Sequence, residues 1–218
     1  MKNAFVFWKC DKESHFALQR AVHAGLEPRL LLACIDDTTG LGMGNDLPPE
    51  LIEEQADLID LPLLMFRTSF ASYYRDMQRL LFDLRSDGIT RGVFGNVRRH
   101  DDQDQIELLL GDFDMRGVYP LRGVPPLHLV GRQLESLRSV IIRIDRRTIS
   151  ESYLGRDFDA EFVEYLMENG IDPTGEGGEF ATFVCRSPLM RREIILTHAE
   201  RLATPGAISL EIDFWKVE

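Results

Sequence analysis

The stretch FVFWKCDKESHFALQRAV, residues 5–22, decides the fold class because it joins a strand to a helix through a short polar turn. Residues 4–8 form an apolar run typical of a buried strand, and helical spacing begins near Ser14. A turn leading from a strand into a helix N-terminus is a common phosphate site, since backbone amides and the helix dipole point there. Such turns usually contain glycine, whereas this one reads KCDKE at residues 9–13.

The same alternation of strand and helix continues through the first half of the chain. Strands are predicted at 29–35, 61–66 and 92–97, and helices at 14–24, 49–60 and 70–87. This order predicts an α/β protein with a Rossmann-like parallel sheet covered by helices on both faces. Ligands of such sheets bind beyond the carboxyl ends of the strands. We therefore expect the opening turn, Asp36–Asp37 and Gly95–Asn96 to lie at one edge.

The second half of the chain has a different pattern. It contains a proline-rich turn at 117–126, a helix at 127–138, a strand at 139–145, a helix at 159–169, and β-branched or aromatic runs at 180–185, 192–198 and 208–217. The last three runs predict antiparallel strands. We predict two domains, a nucleotide-binding domain at 1–118 and a smaller α/β domain at 119–218.

Composition places the chain among ordinary globular proteins, with 44% hydrophobic and 28% charged residues. Its net charge of −11 argues against general nucleic-acid binding, although RREIILTHAER (191–201) and VRRH (97–100) could each form a local basic patch. The three cysteines lack metal-type spacing and favour free thiols over a disulfide. No signal peptide or long apolar stretch is present, so we expect a cytoplasmic protein without membrane contact, and no pattern indicates an oligomeric state.

The sequence GEGGE at residues 175–179 is the strongest candidate site in the second half. Glu176 and Glu179 flank Gly177 and Gly178 immediately before a predicted strand. Two glycines permit positive φ angles and close approach of a ligand. The two carboxylates could bind an ammonium group or a metal ion, or share a proton, and the alternative is a solvated acidic turn.

Four motifs together resemble one known family. LGRDFDAEFVEYLMENGIDPTGEGGEFATFV (154–184) resembles the C-terminal signature of the diphthine–ammonia ligase family of PP-loop ATPases. EEQADLIDLPL (53–63), GVFGNV (92–97) and VYPLR (118–122) resemble further motifs of that family and follow its order. The long C-terminal signature is specific, and the shorter motifs support it.

The resemblance implies both a fold and an activity. Members join an N-terminal domain of the adenine nucleotide alpha-hydrolase-like fold to a C-terminal domain that carries the GEGGE signature. They use ATP and Mg²⁺ to adenylate a carboxylate, and ammonia then displaces AMP to form an amide. The acceptor in archaeal and eukaryotic members is diphthine on elongation factor 2. For this chain the resemblance implies a small-molecule or protein carboxylate as the acceptor.

The resemblance also assigns candidate site residues, because the family's SGGKDS loop aligns with residues 9–14. Lys12 and Ser14 are retained, and Glu13 replaces an aspartate. The implied ATP-binding residues are Lys9, Cys10, Asp11, Lys12, Ser14 and Gly95, with Glu13 as the Mg²⁺ ligand. The implied catalytic residues are Lys12, Glu176 and Glu179, and the implied substrate-binding residues are Gly177, Gly178 and Thr182.

Several departures from the family pattern keep other functions open. A non-glycine residue with positive φ at position 10 or 11 would cost about 1–3 kcal/mol. The Asp11 carboxylate would also repel phosphate. Further departures are Asn96, Arg122 and Ala181. The alternatives are a member that binds a nucleotide or another small molecule without adenylation, and an interaction protein without nucleotide chemistry.

Individual residues of the turn also have simpler interpretations. Lys12 and Glu13 could be a solvated pair at a helix start, and Ser14 an N-cap. Cys10 could be a nucleophile, although no histidine partner is assigned. His100, followed by two aspartates, could bind a metal, and a charged helix start is the favoured alternative.

Overall fold

The computed structural model describes residues 2–98 and 101–218, so His100 lies outside the described part. The chain forms two compact units. The first unit contains the chain up to Arg122 except for Cys10–Lys12. The second unit contains Cys10–Lys12 together with Gly123–Glu218. The predicted boundary lies four residues earlier, between residues 118 and 119.

The first unit contains a five-stranded parallel sheet, as predicted. Its strands are β1 (Asn3–Phe7), β2 (Glu27–Asp36), β3 (Leu63–Thr68), β4 (Arg91–Val93) and β5 (Arg116–Val118). Its helices are α1 (Lys12–His23), α2 (Pro49–Ile59), α3 (Tyr73–Ser86) and α4 (Asp101–Asp112). The Rossmann-like α/β class is thereby confirmed.

The order of the strands, β3-β2-β1-β4-β5, puts β1 at the centre of the sheet. The chain first builds outward from β1 through β2 to β3, and then returns to the other side of β1 for β4 and β5. The strand order therefore reverses between β1 and β4. In open parallel sheets this reversal opens a crevice at the carboxyl ends of the two strands, and ligands bind there.

Apolar spacing explains how the helices attach to this sheet. In α3 the side chains of Met77, Leu81 and Leu84 recur at helical spacing, and all three are buried. They share a core cluster with Phe5 of β1 and Leu32 of β2. This packing fixes the central strands and hence the turn that follows β1.

The second unit contains a four-stranded antiparallel sheet with two helices. Its elements are α5 (Pro126–Ser136), β6 (Arg138–Asp145), a 3₁₀ turn (Glu151–Tyr153), α6 (Ala160–Glu168), β7 (Phe180–Arg186), β8 (Ile194–Ala203) and β9 (Ala207–Val217). The strand order is β7-β6-β9-β8. Asp159 caps α6 by accepting a hydrogen bond of 2.9 Å from the amide of Phe162. Phe162 then packs against Phe158 and Phe180 in the core.

Three local predictions were wrong. Residues 116–118 form β5, although we predicted a turn from residue 117. The prediction failed because three residues around Gly117 carry too little apolar pattern to indicate a strand. Helix α1 begins at Lys12, so Ser14 lies in its first turn and is not the N-cap. Strand β8 continues to Ala203, because pairing with β9 extends a strand whose sequence turns polar.

None of the helices within the described residues is both long and apolar enough to cross a membrane. The three cysteines are thiols without a disulfide, as predicted, and all three are buried.

Candidate functional site

The turn that follows β1 starts at the carboxyl end of that strand, where the strand order reverses between β1 and β4. Trp8 extends the pairing of β1, since its amide donates a hydrogen bond of 2.8 Å to the Leu32 carbonyl. The Lys9 carbonyl then accepts a bond of 3.0 Å from the Asn45 side-chain amide. Helix α1 starts at Lys12, so the amides of its first turn lack acceptors within the helix. The turn thus has the local geometry on which the phosphate prediction rests.

Gly95 allows the segment after β4 to approach this helix start. A Cβ atom at Gly95 would lie 2.9 Å from the Glu13 carbonyl carbon and 3.0 Å from the Ser14 amide nitrogen. Both distances involve backbone atoms, which cannot rotate away. Only glycine therefore fits at position 95 without moving the N-terminus of α1. Its proposed ATP contact stays a prediction.

Cys10 stands at the first glycine of the family's SGGKDS loop and adopts a backbone conformation that suits glycine. Its φ angle is +59°, in the left-handed region. A side chain in that region costs about 1–2 kcal/mol. The chain therefore follows a glycine-like path without glycine. The Cys10 side chain is fully buried. This burial argues against the alternative in which its thiol acts as a nucleophile on an external substrate.

Residues Cys10–Lys12 belong to the second unit, where they contact β7. The Cys10 carbonyl accepts a hydrogen bond of 2.9 Å from the Val184 amide. The Lys12 amide lies 3.4 Å from the Thr182 hydroxyl oxygen, to which it donates. Thr182, predicted as a substrate-binding residue, is itself buried. The structure therefore brings Lys12 and Thr182 together.

The Lys12 side chain is held inside the second unit. It is only 2% exposed, and its Nζ donates a hydrogen bond of 2.7 Å to the Thr174 carbonyl. The same ammonium lies 5.2 Å from the ring centre of Phe158 and 4.9 Å from that of Phe180. Cation–π attraction of this kind is stronger where water is excluded. The alternative of an ordinary solvated lysine at a helix start is wrong.

Thr174, which holds this ammonium, was not singled out in the sequence. It lies in the loop between α6 and β7, where the Asp172 carboxylate accepts bonds from its amide at 3.0 Å and its hydroxyl at 2.9 Å. This local turn fixes the direction of the Thr174 carbonyl. The only signal in the sequence was its place inside the family-like signature.

The GEGGE loop places its four candidate residues on the segment that leads into β7. Gly178 has a φ of +84°, in the left-handed region that glycine permits, whereas the φ of Gly177 is not positive. Gly177 instead leaves room for Glu179. A Cβ atom at position 177 would lie 2.5 Å from the Glu179 Oε1 atom. The Glu179 carboxylate is therefore folded back over Gly177.

Glu179 and Glu176 are both half-buried. The Oε2 atom of Glu179 is buried, and within the described residues it has no hydrogen-bond partner. An anionic oxygen without a donor favours an incoming ammonium or amine hydrogen. Roles in acceptor or ammonia binding for the two glutamates remain predictions.

Arg122, which stands where the family has tryptophan, stacks on an aromatic column in the first unit. Its guanidinium lies 3.9 Å from the ring centre of Tyr119, which is stacked on Phe94 at 5.4 Å. Glu107 lies 3.5 Å from the same guanidinium. Burial and the Glu107 charge raise the pKa of Tyr119 to about 12, so its hydroxyl stays protonated. A flat guanidinium is thus stacked on Tyr119 at the position where the family has tryptophan.

No group of three or more His, Cys, Asp or Glu side chains in the described chain is arranged to hold a metal ion by itself. Mg²⁺ usually needs one or two protein carboxylates when phosphates supply the remaining ligands. Glu13, in the first turn of α1, fits that type of site. Its role as a Mg²⁺ ligand stays a prediction.

Comparison with known proteins bears directly on the second unit. Residues 125–211 match the protein family described as the diphthamide synthase C-terminal domain. This range includes the GEGGE loop and the family-like signature that suggested the resemblance. None of the curated proteins matches the sequence.

A solved structure shares the fold over most of the chain. It is described as a predicted subunit of a tRNA methyltransferase from Methanocaldococcus jannaschii, and it has 17% sequence identity and a TM-score of 0.50. The match covers 85% of this chain and 98% of the other. The resemblance to the diphthine–ammonia ligase family is confirmed where its signature lies, since residues 125–211 match the family model of the diphthamide synthase C-terminal domain.

Proposed function

We propose that this protein is an ATP-dependent carboxylate–ammonia ligase that resembles diphthine–ammonia ligase, with diphthine or another carboxylate as its acceptor. In the first step a carboxylate oxygen attacks the α-phosphorus of ATP, and pyrophosphate leaves. In the second step ammonia attacks the acyl carbon, AMP leaves with the bonding electrons, and the nitrogen loses a proton. Adenylation is needed because a free carboxylate is a poor electrophile.

One observation carries this proposal. A strand–turn–helix connection lies at the reversal of strand order in a parallel sheet, in a chain whose residues 125–211 match the diphthamide synthase C-terminal domain. A helix N-terminus at such a reversal favours the binding of phosphate groups. The left-handed Cys10 supports the proposal further, because the turn follows a glycine-like path.

Most of the candidate residues have a role in the ligase that matches their chemistry. The amide of Ser14 and the ammonium of Lys9 would stabilise the pyrophosphate, and Glu13 would hold Mg²⁺. Glu176 and Glu179 would bind ammonia or accept the proton that it loses. Gly177, Gly178 and Thr182 would line the acceptor. Elongation factor 2 enters as an acceptor only through the family resemblance.

A second candidate function is nucleotide binding without adenylation, and Lys12 favours it. The ammonium that would contact pyrophosphate is bonded instead to the Thr174 carbonyl, and it lies against two aromatic rings. Asp11 adds a negative charge next to the helix start. A ligase would have to release Lys12 from Thr174 when ATP binds, whereas a simple binding protein would not.

Formation of AMP and pyrophosphate from MgATP distinguishes the two functions. The assay first uses ammonium chloride as the nitrogen donor and elongation factor 2 bearing diphthine as the acceptor. Small-molecule carboxylates are then tested as acceptors. A ligase should form AMP and pyrophosphate in equal amounts, and the Glu13→Gln variant should form neither. The matched control is Glu50→Gln, which changes an exposed glutamate in the first turn of α2.

Saturable ATP binding without AMP formation would count against the ligase and favour the second candidate. Equal activity in both glutamate variants would remove Glu13 from the site. Absence of ATP binding would contradict both functions.

A further inference from the structure

A separate cleft of about 820 Å³ lies in the second unit, where β6 begins, β7 ends and the chain approaches β8. Small-molecule sites commonly have volumes of about 300–1,000 Å³. The cleft contains the start of the basic stretch RREIILTHAER, which the proposed function does not use. None of the residues of the GEGGE loop lines it.

The wall of the cleft is rich in arginine although the protein as a whole carries a net charge of −11. Its charged lining residues are Arg138, Arg186, Arg191 and Arg192, with Glu135, Glu193 and Glu218. The balance of charge therefore depends on which arginines already have carboxylate partners.

Each of the three lining glutamates already has a cation. Glu193 pairs with Arg138, whose guanidinium also contacts Asp157 at 3.1 Å. Glu135 lies 3.5 Å from Arg132, outside the lining, and Glu218 pairs with Lys216. These carboxylates are therefore neutralised by groups other than Arg186 and Arg192.

Arg186 and Arg192 are both exposed, and neither forms an ion pair within the described residues. Arg186 is also paired in register with Arg138 on the neighbouring strand. Like charges directly opposite each other in a sheet are destabilising. An anion in the cleft would remove that cost and bring the local charge closer to neutral.

We propose that this cleft binds a small molecule through a phosphate monoester group. A phosphate monoester carries nearly two negative charges at pH 7, and its oxygens match the fork of N–H donors on two guanidiniums. Leu137, Pro188 and Met190 supply an apolar part of the lining against which the organic part of the ligand can pack. The inference is independent of ATP binding at the opening turn.

Phenyl phosphate is a suitable probe, because it joins a dianion to an apolar ring of small size. Its binding is followed by amide chemical-shift changes in the full-length protein at constant ionic strength. We expect saturable shifts at residues 186–193 and an affinity at least about tenfold lower in the double variant Arg186→Gln/Arg192→Gln. The matched control is Arg20→Gln/Arg201→Gln, which removes two exposed arginines elsewhere and should bind as the wild type does.

Three results would overturn the proposal. The first is an equal loss of affinity in both double variants, which would indicate a general effect of charge. The second is saturable shifts confined to residues 9–14, which would place the phosphate at the opening turn. The third is no saturable binding up to about 10 mM. ATP binding is measured separately in the same variants and should not change.

Discussion

Replacement of Lys12 by methionine tests the environment of a charged side chain that is almost fully buried. Methionine keeps a similar length and apolar volume but removes the ammonium, so little packing is lost. The change deletes the 2.7 Å hydrogen bond to the Thr174 carbonyl and both contacts with aromatic rings. It also removes the desolvation cost of a charge that is only 2% exposed.

The expected loss follows from these terms. A hydrogen bond to a charged group contributes about 1.5–3 kcal/mol, and each cation–π contact adds about 0.5–1 kcal/mol. Relief of desolvation offsets part of this sum. We therefore expect Lys12→Met to lower the free energy of unfolding by about 2 kcal/mol. The corresponding fall in melting temperature is about 4–8 °C for a chain of this size.

Thermal and urea unfolding of purified variants measure this effect directly. Lys9→Met is the matched control, because it removes the same charge from an exposed neighbour. It should change stability by less than about 0.5 kcal/mol. If Lys12→Met is as stable as the wild type or more so, the contacts to Thr174 and the rings do not stabilise the protein.

Two other substitutions test the backbone and the charges. Because φ at Cys10 is +59°, the Cys10→Gly variant should be more stable than Cys10→Ala by about 1 kcal/mol in urea unfolding. The same two substitutions at Cys34 in β2 should give the opposite order. A more stable alanine variant at both sites would refute a strained turn. Hydrogen bonds from the Arg147 side chain and amide lower the pKa of Asp145 from 3.8 to about 2. Its ionised form thus stabilises the fold above about pH 4, and this stabilisation is lost as the pH falls towards 2. Asp145→Asn should therefore be less stable than the wild type at pH 7, with a difference that shrinks between pH 4 and 2; a difference independent of pH would exclude this cause.

The parallel sheet was predictable because each of its longer strands and helices carries its own local pattern. Apolar runs such as 29–35 indicate strands, and the stripe with Met77 and Leu84 indicates a helix with one buried face. The strand β5 was missed because three residues are too few to show a period. The position of β1 at the centre of the sheet depends on pairing between distant segments, which local patterns do not specify.

The candidate site shows the same limit. The alignment placed a family glycine at position 10, and the structure has a positive φ there with cysteine in place. The burial of Lys12 was not predictable, because its acceptor Thr174 lies 162 residues further along the chain. Spacing placed Glu176 and Glu179 on one loop, but the folding of the Glu179 carboxylate over Gly177 depends on backbone geometry.

The central claim is that the turn after β1 binds the phosphates of ATP. Calorimetric titration of the purified protein with MgATP tests it most directly, with AMP and pyrophosphate titrated separately. We predict saturable binding of ATP with a dissociation constant in the micromolar range, about −8 kcal/mol. Absence of heat and of any thermal shift up to about 1 mM ATP would contradict the claim.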